Sequence, residues 1–260
     1  WIINGAFTIW QRGTVFSGTG YSGDRWKLNG ANTQAQRGSY SSDVGWHVWF
    51  HSNGSGQWDW IGQGVELPAY FAGKTMTLSY MIRYNGTHDN SDCFFWARWV
   101  ADGDVFATSD MGDKSLKDVW QYVTHTFTIP TNASDTSYFS LRWHGSDAVT
   151  GMDYDLNLAQ VQFELGASAT PFEMRPNAIE LGMCHRYYQT LGTLWSTQYS
   201  ASSSFVQTNL LTQMRVTPTV TYSFSASLSL ITNYTNNAKL ALYCDGQAGS
   251  ASGLVLDAEF

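Results

Sequence analysis

Between residues 65 and 176 the chain runs as short segments in which apolar and polar residues alternate, each closed by Gly, Asp or Asn. Residues 78–83, 94–100, 122–129 and 138–143 have this form and are rich in β-branched and aromatic side chains. A period of two sends one set of side chains to a buried face and the other to water, so each segment reads as a half-buried strand. Asn85-Gly86, Asn90-Ser91-Asp92, Asp102-Gly103 and Thr131-Asn132-Ala133-Ser134 supply residues that tolerate tight turns and left-handed backbone. The chain has 12 Trp, 14 Tyr and 14 Phe but only five Glu and five Lys, too few strong helix formers for a helical fold. The pattern predicts an all-β protein.

One short helix is expected within it. Asn177-Ala178-Ile179-Glu180, following Pro171 and Pro176, has the form of an N-cap with Glu at N3, which predicts a helix over 178–184. Strand character resumes at 186–191 and 205–211 around a Ser-rich loop at 200–204, and continues at 219–224, 228–231, 238–243 and 253–258. The expected organisation is a sandwich over residues 1–176 and, after the helix, a smaller β domain over 177–260. At about 80 residues the second part buries little of its surface alone, so packing against copies of itself is a reasonable way to stabilise it.

The net charge of −7, from 14 basic against 21 acidic residues, argues against binding nucleic acid or an anionic membrane by general electrostatics. No run approaches the roughly 18 consecutive apolar residues that a membrane helix needs, and no basic-then-apolar signal segment opens the chain, so membrane insertion is not expected. Cys93, Cys184 and Cys244 are odd in number and far apart, and read as buried thiols. Gly73-Lys74-Thr75 lacks the earlier Gly of a phosphate loop and leads into a strand, which sets nucleotide binding aside. A Trp at position 1 is expected of the end of a longer or processed chain.

The stretch V-Q-F-E-L-G-A-S-A-T-P-F-E-M-R-P-N-A-I-E-L-G-M-C-H-R-Y-Y-Q-T-L over 161–191 resembles a joint found in the distal parts of bacteriophage tail fibres. The opening I-I-N-G-A-F-T-I-W-Q-R-G, with Tyr21-Ser22-Gly23-Asp24-Arg25-Trp26, looks like the start of the same kind of fibre domain. M-R-V-T-P-T-V over 214–220 and the ending G-L-V-L-D-A-E-F extend the likeness over most of the chain. V-E-L-P-A-Y-F-A-G-K-T-M-T-L-S-Y and the run from Trp120 resemble the jelly-roll architecture of many carbohydrate-binding modules. The resemblance implies a jelly-roll β-sandwich followed by the smaller domain, a homotrimer, and a place in the tail fibre of a virion. It also implies contact with other tail proteins on the N-terminal side and adhesion to a bacterial surface polysaccharide. The joint itself reads as packing, with Pro171-Phe172 capping the sandwich.

The strongest chemical signal is His47-Val48-Trp49-Phe50-His51 followed by Gln57-Trp58-Asp59-Trp60-Ile61. On a strand His47, Trp49 and His51 share one face, as do Trp58 and Trp60. If exposed, these faces are flat, partly polar aromatic surfaces on which the C–H face of a sugar can pack; if buried, the same Trp residues fill the core. In residues 138–144 the apolar set Phe139, Leu141 and Trp143 leaves Tyr138, Ser140, Arg142 and His144 on the other side. Arg98, alternating with Phe94 and Trp96, and Arg83, alternating with Met81, are expected to converge there and supply hydrogen-bonding forks. Trp58, Trp60, His47, Trp49, Arg98, Arg142 and His144 are thus the candidate ligand-binding residues.

No cofactor is expected, with one open alternative. Jelly-roll modules of the carbohydrate-binding type often hold a structural calcium, for which Asp24, Asp153 and Asp155 are candidates. His47 and His51 are about 13 Å apart on a strand, too far to share an ion. His125, in the parity class of Val123 and Phe127, reads as a hydrogen-bonded core residue. For catalysis only Asp59 and Glu66 have interesting settings, and no G-x-S-x-G elbow occurs. The expected function is host attachment through surface glycans without chemistry; a glycan depolymerase and a purely structural connector are the alternatives.

Overall fold

The computed structural model describes residues 1–52, 59–66, 69–85, 93–100, 103–134, 137–144, 154–198, 200–225, 229–233, 235–246 and 249–259. The chain divides into two units, Trp1–Arg175 and Pro176–Phe260. The first holds β1 (Val15–Ser17), β2 (Gly20–Tyr21), β3 (Lys27–Asn29), β4 (Thr33–Arg37), β5 (Val48–Ser52) and β6 (Trp60–Glu66). It continues with β7 (Thr75–Tyr84), β8 (Phe94–Trp99), β9 (Gly103–Thr108), β10 (Gln121–Thr128), β11 (Tyr138–His144) and β12 (Tyr154–Leu165).

These strands form two six-stranded antiparallel sheets, β1-β4-β5-β12-β7-β10 and β2-β3-β6-β11-β8-β9, and the chain crosses from one to the other repeatedly, as a jelly roll does. Alternation decides which side chains meet between them. In β10 Val123, His125 and Phe127 are buried and the intervening Thr124 and Thr126 are exposed. Leu78, Tyr80, Ile82 and Tyr84 of β7 point inward against Phe95, Ala97 and Trp99 of β8 and Phe139, Leu141 and Trp143 of β11. The centre is aromatic: Tyr80 meets Trp143 edge-on at 5.3 Å, and Phe95 stacks on His125 at 4.9 Å. Such ring pairs add roughly 0.5–1.5 kcal/mol beyond the area they bury.

The N-terminal motif is a structural knot around Asn4. Its Nδ2 donates to the carbonyls of Ile9 and Asp24, its Oδ1 accepts from the Ile9 amide, and its carbonyl accepts from Trp26 Nε1. Asp24 in turn accepts from the amide and Nε2 of Gln11. Gly5 lies against β12 where a bulge interrupts the ladder: its carbonyl accepts from the Val161 amide, and a Cβ at position 5 would fall 2.0 Å from the Val161 oxygen. Only glycine permits that approach.

The second unit opens with α1 (Asn177–Cys184), then β13 (Tyr188–Leu191), β14 (Leu194–Trp195), β15 (Thr197–Gln198) and β16 (Ser203–Asn209). It ends with β17 (Thr219–Phe224), β18 (Ser229–Asn233), β19 (Lys239–Asp245) and β20 (Ser250–Asp257). One sheet runs β13-β20-β14 with β17 also paired to β20, the other β15-β16-β19-β18, and Val206, Met214, Leu240, Leu242, Leu254 and Leu256 fill the core of this smaller sandwich. The chain-end motifs meet here, because Arg215 donates to the carbonyls of Ala258 and Glu259 while its own amide binds the Arg186 carbonyl.

The helix starts differently from the capping box expected at Asn177. Pro176 occupies the N-cap position without a side-chain cap, and its carbonyl accepts from the amides of Ile179 and Glu180. Asn177 is already helical, so its side chain is not in the N-cap geometry that reaches N3. Ser203 and Ser204 belong to β16 rather than to the preceding loop. Cys93, Cys184 and Cys244 are buried and form no disulfide among the described residues. Among those residues, no helix is long and apolar enough to cross a membrane.

His125 offers a test of this core. Its Nε2 lies 2.9 Å from the Tyr80 hydroxyl, and burial pushes its pKa from 6.5 down to about 4, against a smaller opposing pull from Asp110. Between those values the unfolded chain binds a proton that the folded one refuses. Stability from this residue is therefore complete above about pH 6.5 and is lost as pH falls toward 4, by up to about 1.4 kcal/mol per pH unit. In urea unfolding across that range, His125→Gln should flatten the dependence relative to the wild type. Equal slopes would mean that the imidazole is not held neutral.

Candidate functional site

The inward rings leave two outer faces, and the strand register assembles a row of polar and aromatic side chains on one of them. Ala35, Phe50, Leu156 and Ile82 go to the core, so their alternates Gln36, Trp49, Asn157 and Arg83 face outward. In the ladder Gln36 sits opposite Trp49, Trp49 opposite Asn157, and Asn157 opposite Arg83. Directly opposed residues on one face of an antiparallel pair bring their Cβ atoms within about 5 Å, so these four make a continuous strip across β4, β5, β12 and β7. Trp120, just before β10, extends it: the Arg83 guanidinium lies 5.2 Å from its ring centroid.

A second row runs alongside. His51 stacks on Trp49 at 5.4 Å with ring planes 6° apart, and Asp155 stands opposite His51 in the ladder. Asn157 Nδ2 donates to Asn85 Oδ1 at 2.6 Å, and Asn85 Nδ2 donates to Asp155. The chain of amides holds Asn157 and Asn85 in fixed orientations. On the other side His47 meets Trp120 edge-on at 5.4 Å and fills the space left by Gly38, where a Cβ would come 2.0 Å from His47 Nε2. Burial first, then the charge of Arg83, lower the His47 pKa against a backbone hydrogen bond at Gly45, so the imidazole is neutral at pH 7. Arg37, its guanidinium 3.9 Å above the Trp46 ring, completes the walls of a cleft of about 610 Å³. That volume lies within the usual range for a small-molecule or oligomer site.

The other face looks different. Trp60, Arg142, Trp96 and Arg98 all face outward from β6, β11 and β8, but Arg142 lies 4.2 Å over the Trp60 ring and Arg98 lies 5.9 Å from that of Trp96. Trp60 is only 8% exposed and Trp96 7%. Gly62 stands opposite Arg142, and an added Cβ there would fall 2.2 Å from the Leu141 carbonyl oxygen and 3.2 Å from Arg142 Cγ. Burial, then repulsion from Arg98, lowers the Arg142 pKa.

The expected single surface is therefore two surfaces on opposite sides of the sandwich. His47 and Trp49 sit in the cleft; Trp60, Arg98 and Arg142 sit on the far sheet, where Trp60 is covered rather than open. His144 is on the far sheet too, opposite Trp60 in the ladder. Arg83 joins the cleft and not the far group. Trp58 lies outside the described residues.

The cleft also contains residues that the sequence reading did not single out: Gln36, Arg37, Trp46, Asn85 and Asn157. A signal existed for some of them. In Y-D-L-N-L the polar Asp155 and Asn157 alternate with buried Leu156 and Leu158 inside a long apolar strand, and Gln34 and Gln36 alternate with buried Ala35. Short polar side chains in such positions mark an outward face that is partly sheltered.

Asp59 is buried, donated to by the Ser52 hydroxyl, and has a pKa raised by burial against that hydrogen bond. It precedes β6, while Glu66 ends it, and at about 3.3 Å per residue the strand puts them roughly 20 Å apart. A glycosidase pair stands about 5 to 9.5 Å apart, so these two cannot flank one bond. Asp24 is engaged by Gln11 and Asp155 by Asn85, while Asp153 lies outside the described residues. Among the described residues no group of three His, Cys, Asp or Glu is placed to hold a metal ion.

No protein-family model matches the chain, and no curated protein does. Among solved structures it is similar to a CBM4 structure, at 17% identity and a TM-score of 0.38 over 64% of this chain and 100% of that one. It is similar to a cyclase from Fischerella sp. TAU in complex with 4-(1H-indol-3-yl)butan-2-one, at 12% identity and 0.44 over 65% of this chain and 98% of that one. The tripod of the baseplate of bacteriophage Tuc2009 is a third, at 12% identity and 0.35 over 76% and 81%. At such values the functional reading falls to the chain's own residues.

The two faces respond differently to losing a ring. Trp60→Ala empties the space beneath Arg142 and should cost about 3–5 kcal/mol of folding stability, seen as a lowered Tm. Trp49→Ala, on the half-open cleft floor, should change Tm little. Similar Tm losses for the two would contradict the difference in cover.

Proposed function

We propose that this chain is a receptor-binding region of a phage tail fibre, which attaches the virion to host surface glycans without chemistry. One observation carries the reading: the Gln36-Trp49-Asn157-Arg83 strip, an aromatic ring set between fixed amides and a guanidinium along an open cleft. A saccharide offers the matching partners, C–H faces for the indole and hydroxyl pairs for amide and arginine. The strip crosses four strands at about 4.8 Å each, long enough for several sugar residues. The fibre assignment is supported by the likeness of the N-terminal knot, the joint over 161–191 and the ending to tail-fibre sequences.

The trimer belongs to the same proposal. Ile179, Trp195 and Leu211 stand more than half exposed on the second unit, apolar surface that copies of the chain would cover. Light scattering at micromolar concentration should give about three times 29.0 kDa; a stable monomer would count against the fibre reading. In a screen of bacterial polysaccharides the recombinant protein should bind without releasing reducing ends. Trp49→Ala should weaken that binding by about 1–3 kcal/mol, the scale of other ring-stacking contacts, at unchanged Tm. Release of reducing ends would select a depolymerase instead, and absence of all binding a structural connector.

A further inference from the structure

We propose that the cleft selects a glycan bearing negative charge, which Arg37 and Arg83 engage together. The proposal rests on the glycan-binding reading and adds the ligand class. In a chain of 14 basic and 21 acidic residues, an unbiased surface patch is acidic. The cleft has the opposite balance, with Arg37 and Arg83 in its walls and no Asp or Glu among its described lining residues.

Among the described residues neither arginine is neutralised from within. Arg37 and Arg83 have no ion-pair partner among the described residues, and the Nε of each is buried without a hydrogen bond there. The nearest acid in the strip, Asp155, already accepts from Asn85 and is opposite His51 rather than Arg83.

Geometry makes both groups usable. Each guanidinium rests on an indole, Arg37 on Trp46 at 3.9 Å and Arg83 by Trp120 at 5.2 Å. Contact with a ring restrains each head group, and a guanidinium so held can meet an oxyanion in the bidentate arrangement in which arginine discriminates best. Between them Trp49 and Asn157 take the uncharged part of the sugar, so charge and ring are read in one site. Carboxylate and phosphate present the same oxygen pair to such a fork.

The test uses immobilised capsular polysaccharides containing uronic or sialic acid, phosphomannan with pendant phosphate monoesters as the phosphate carrier, and dextran and levan as neutral controls. Carboxylate samples are also presented after carboxyl reduction, and phosphate samples after dephosphorylation with hydrofluoric acid. The wild-type protein should bind at least one acidic sample and lose about tenfold or more in affinity when its charge is removed; the treatment that does this names the anion. That binding should weaken as salt rises from about 50 to about 500 mM, as screening requires. Arg83→Gln and Arg37→Gln should each lose about tenfold on the acidic sample. Equal binding of charged and neutralised forms, or tightest binding to dextran or levan, overturns the charge selectivity and leaves glycan binding standing. No binding to any sample overturns both. The chemical treatments are read on the wild-type protein, so the result does not depend on either variant folding.

Discussion

The interlocked rings of Tyr80, Phe95, His125 and Trp143 between the sheets are the contact on which the rest depends. They come from four strands and two sheets, and each fixes the parity of its own strand. A one-residue slip in β7 would send Tyr80 and Ile82 to water and bring Met81 and Arg83 inward, which no aromatic core could absorb. Because parity is locked at the centre, every alternate residue is committed to an outer face before any ligand is considered. The cleft strip is in this sense a by-product of core packing: Trp49 is outside because Val48 and Phe50 are inside.

The sequence shows this parity well and the pairing of strands poorly. Alternation in 122–129 and 138–143 is visible by inspection, and the division of 138–144 into Phe139, Leu141 and Trp143 against Tyr138, Ser140 and Arg142 holds in the structure. That β5 neighbours β12 and β4, while β6 lies in the opposite sheet, is a fact of long-range topology with no local signature. Treating the Trp-rich run around His47 and the one around Trp60 as a single surface joined two strands that are close in sequence and on opposite sides of the sandwich. The same blindness hid Asn157, which sits more than 100 residues from Trp49 and directly opposite it in the ladder.

The motifs at the two ends of the chain are joints, each within its own unit. Asn4, Gly5, Asp24 and Trp26 close the N-terminal segment onto β12, and Arg215 pins the chain end beside Arg186. Residues of this kind are constrained by hydrogen bonds and by contacts too close for a Cβ, so a likeness at these positions speaks to backbone geometry. The groove residues lie in ordinary strands between them, free to differ without disturbing the joints. A likeness confined to joints therefore carries architecture and leaves the ligand to be read from the groove.

The contrast between the outer faces shows what separates a site from a surface. Both carry Trp and Arg in cation–π contact. On the far sheet Arg142 lies over the Trp60 ring itself, so the cation covers the face that a sugar would need. On the cleft side the arginines lie over Trp46 and Trp120, while Trp49 stacks, among the described residues, on His51 and stays half open. With Arg37 over Trp46 and Arg83 over Trp120, the cations lie on rings other than the central Trp49. The amide chain from Asn157 through Asn85 to Asp155 adds rigidity beneath. A groove so arranged has its orientation costs met within the fold before a ligand arrives, which is the physical condition for a useful affinity from a shallow surface.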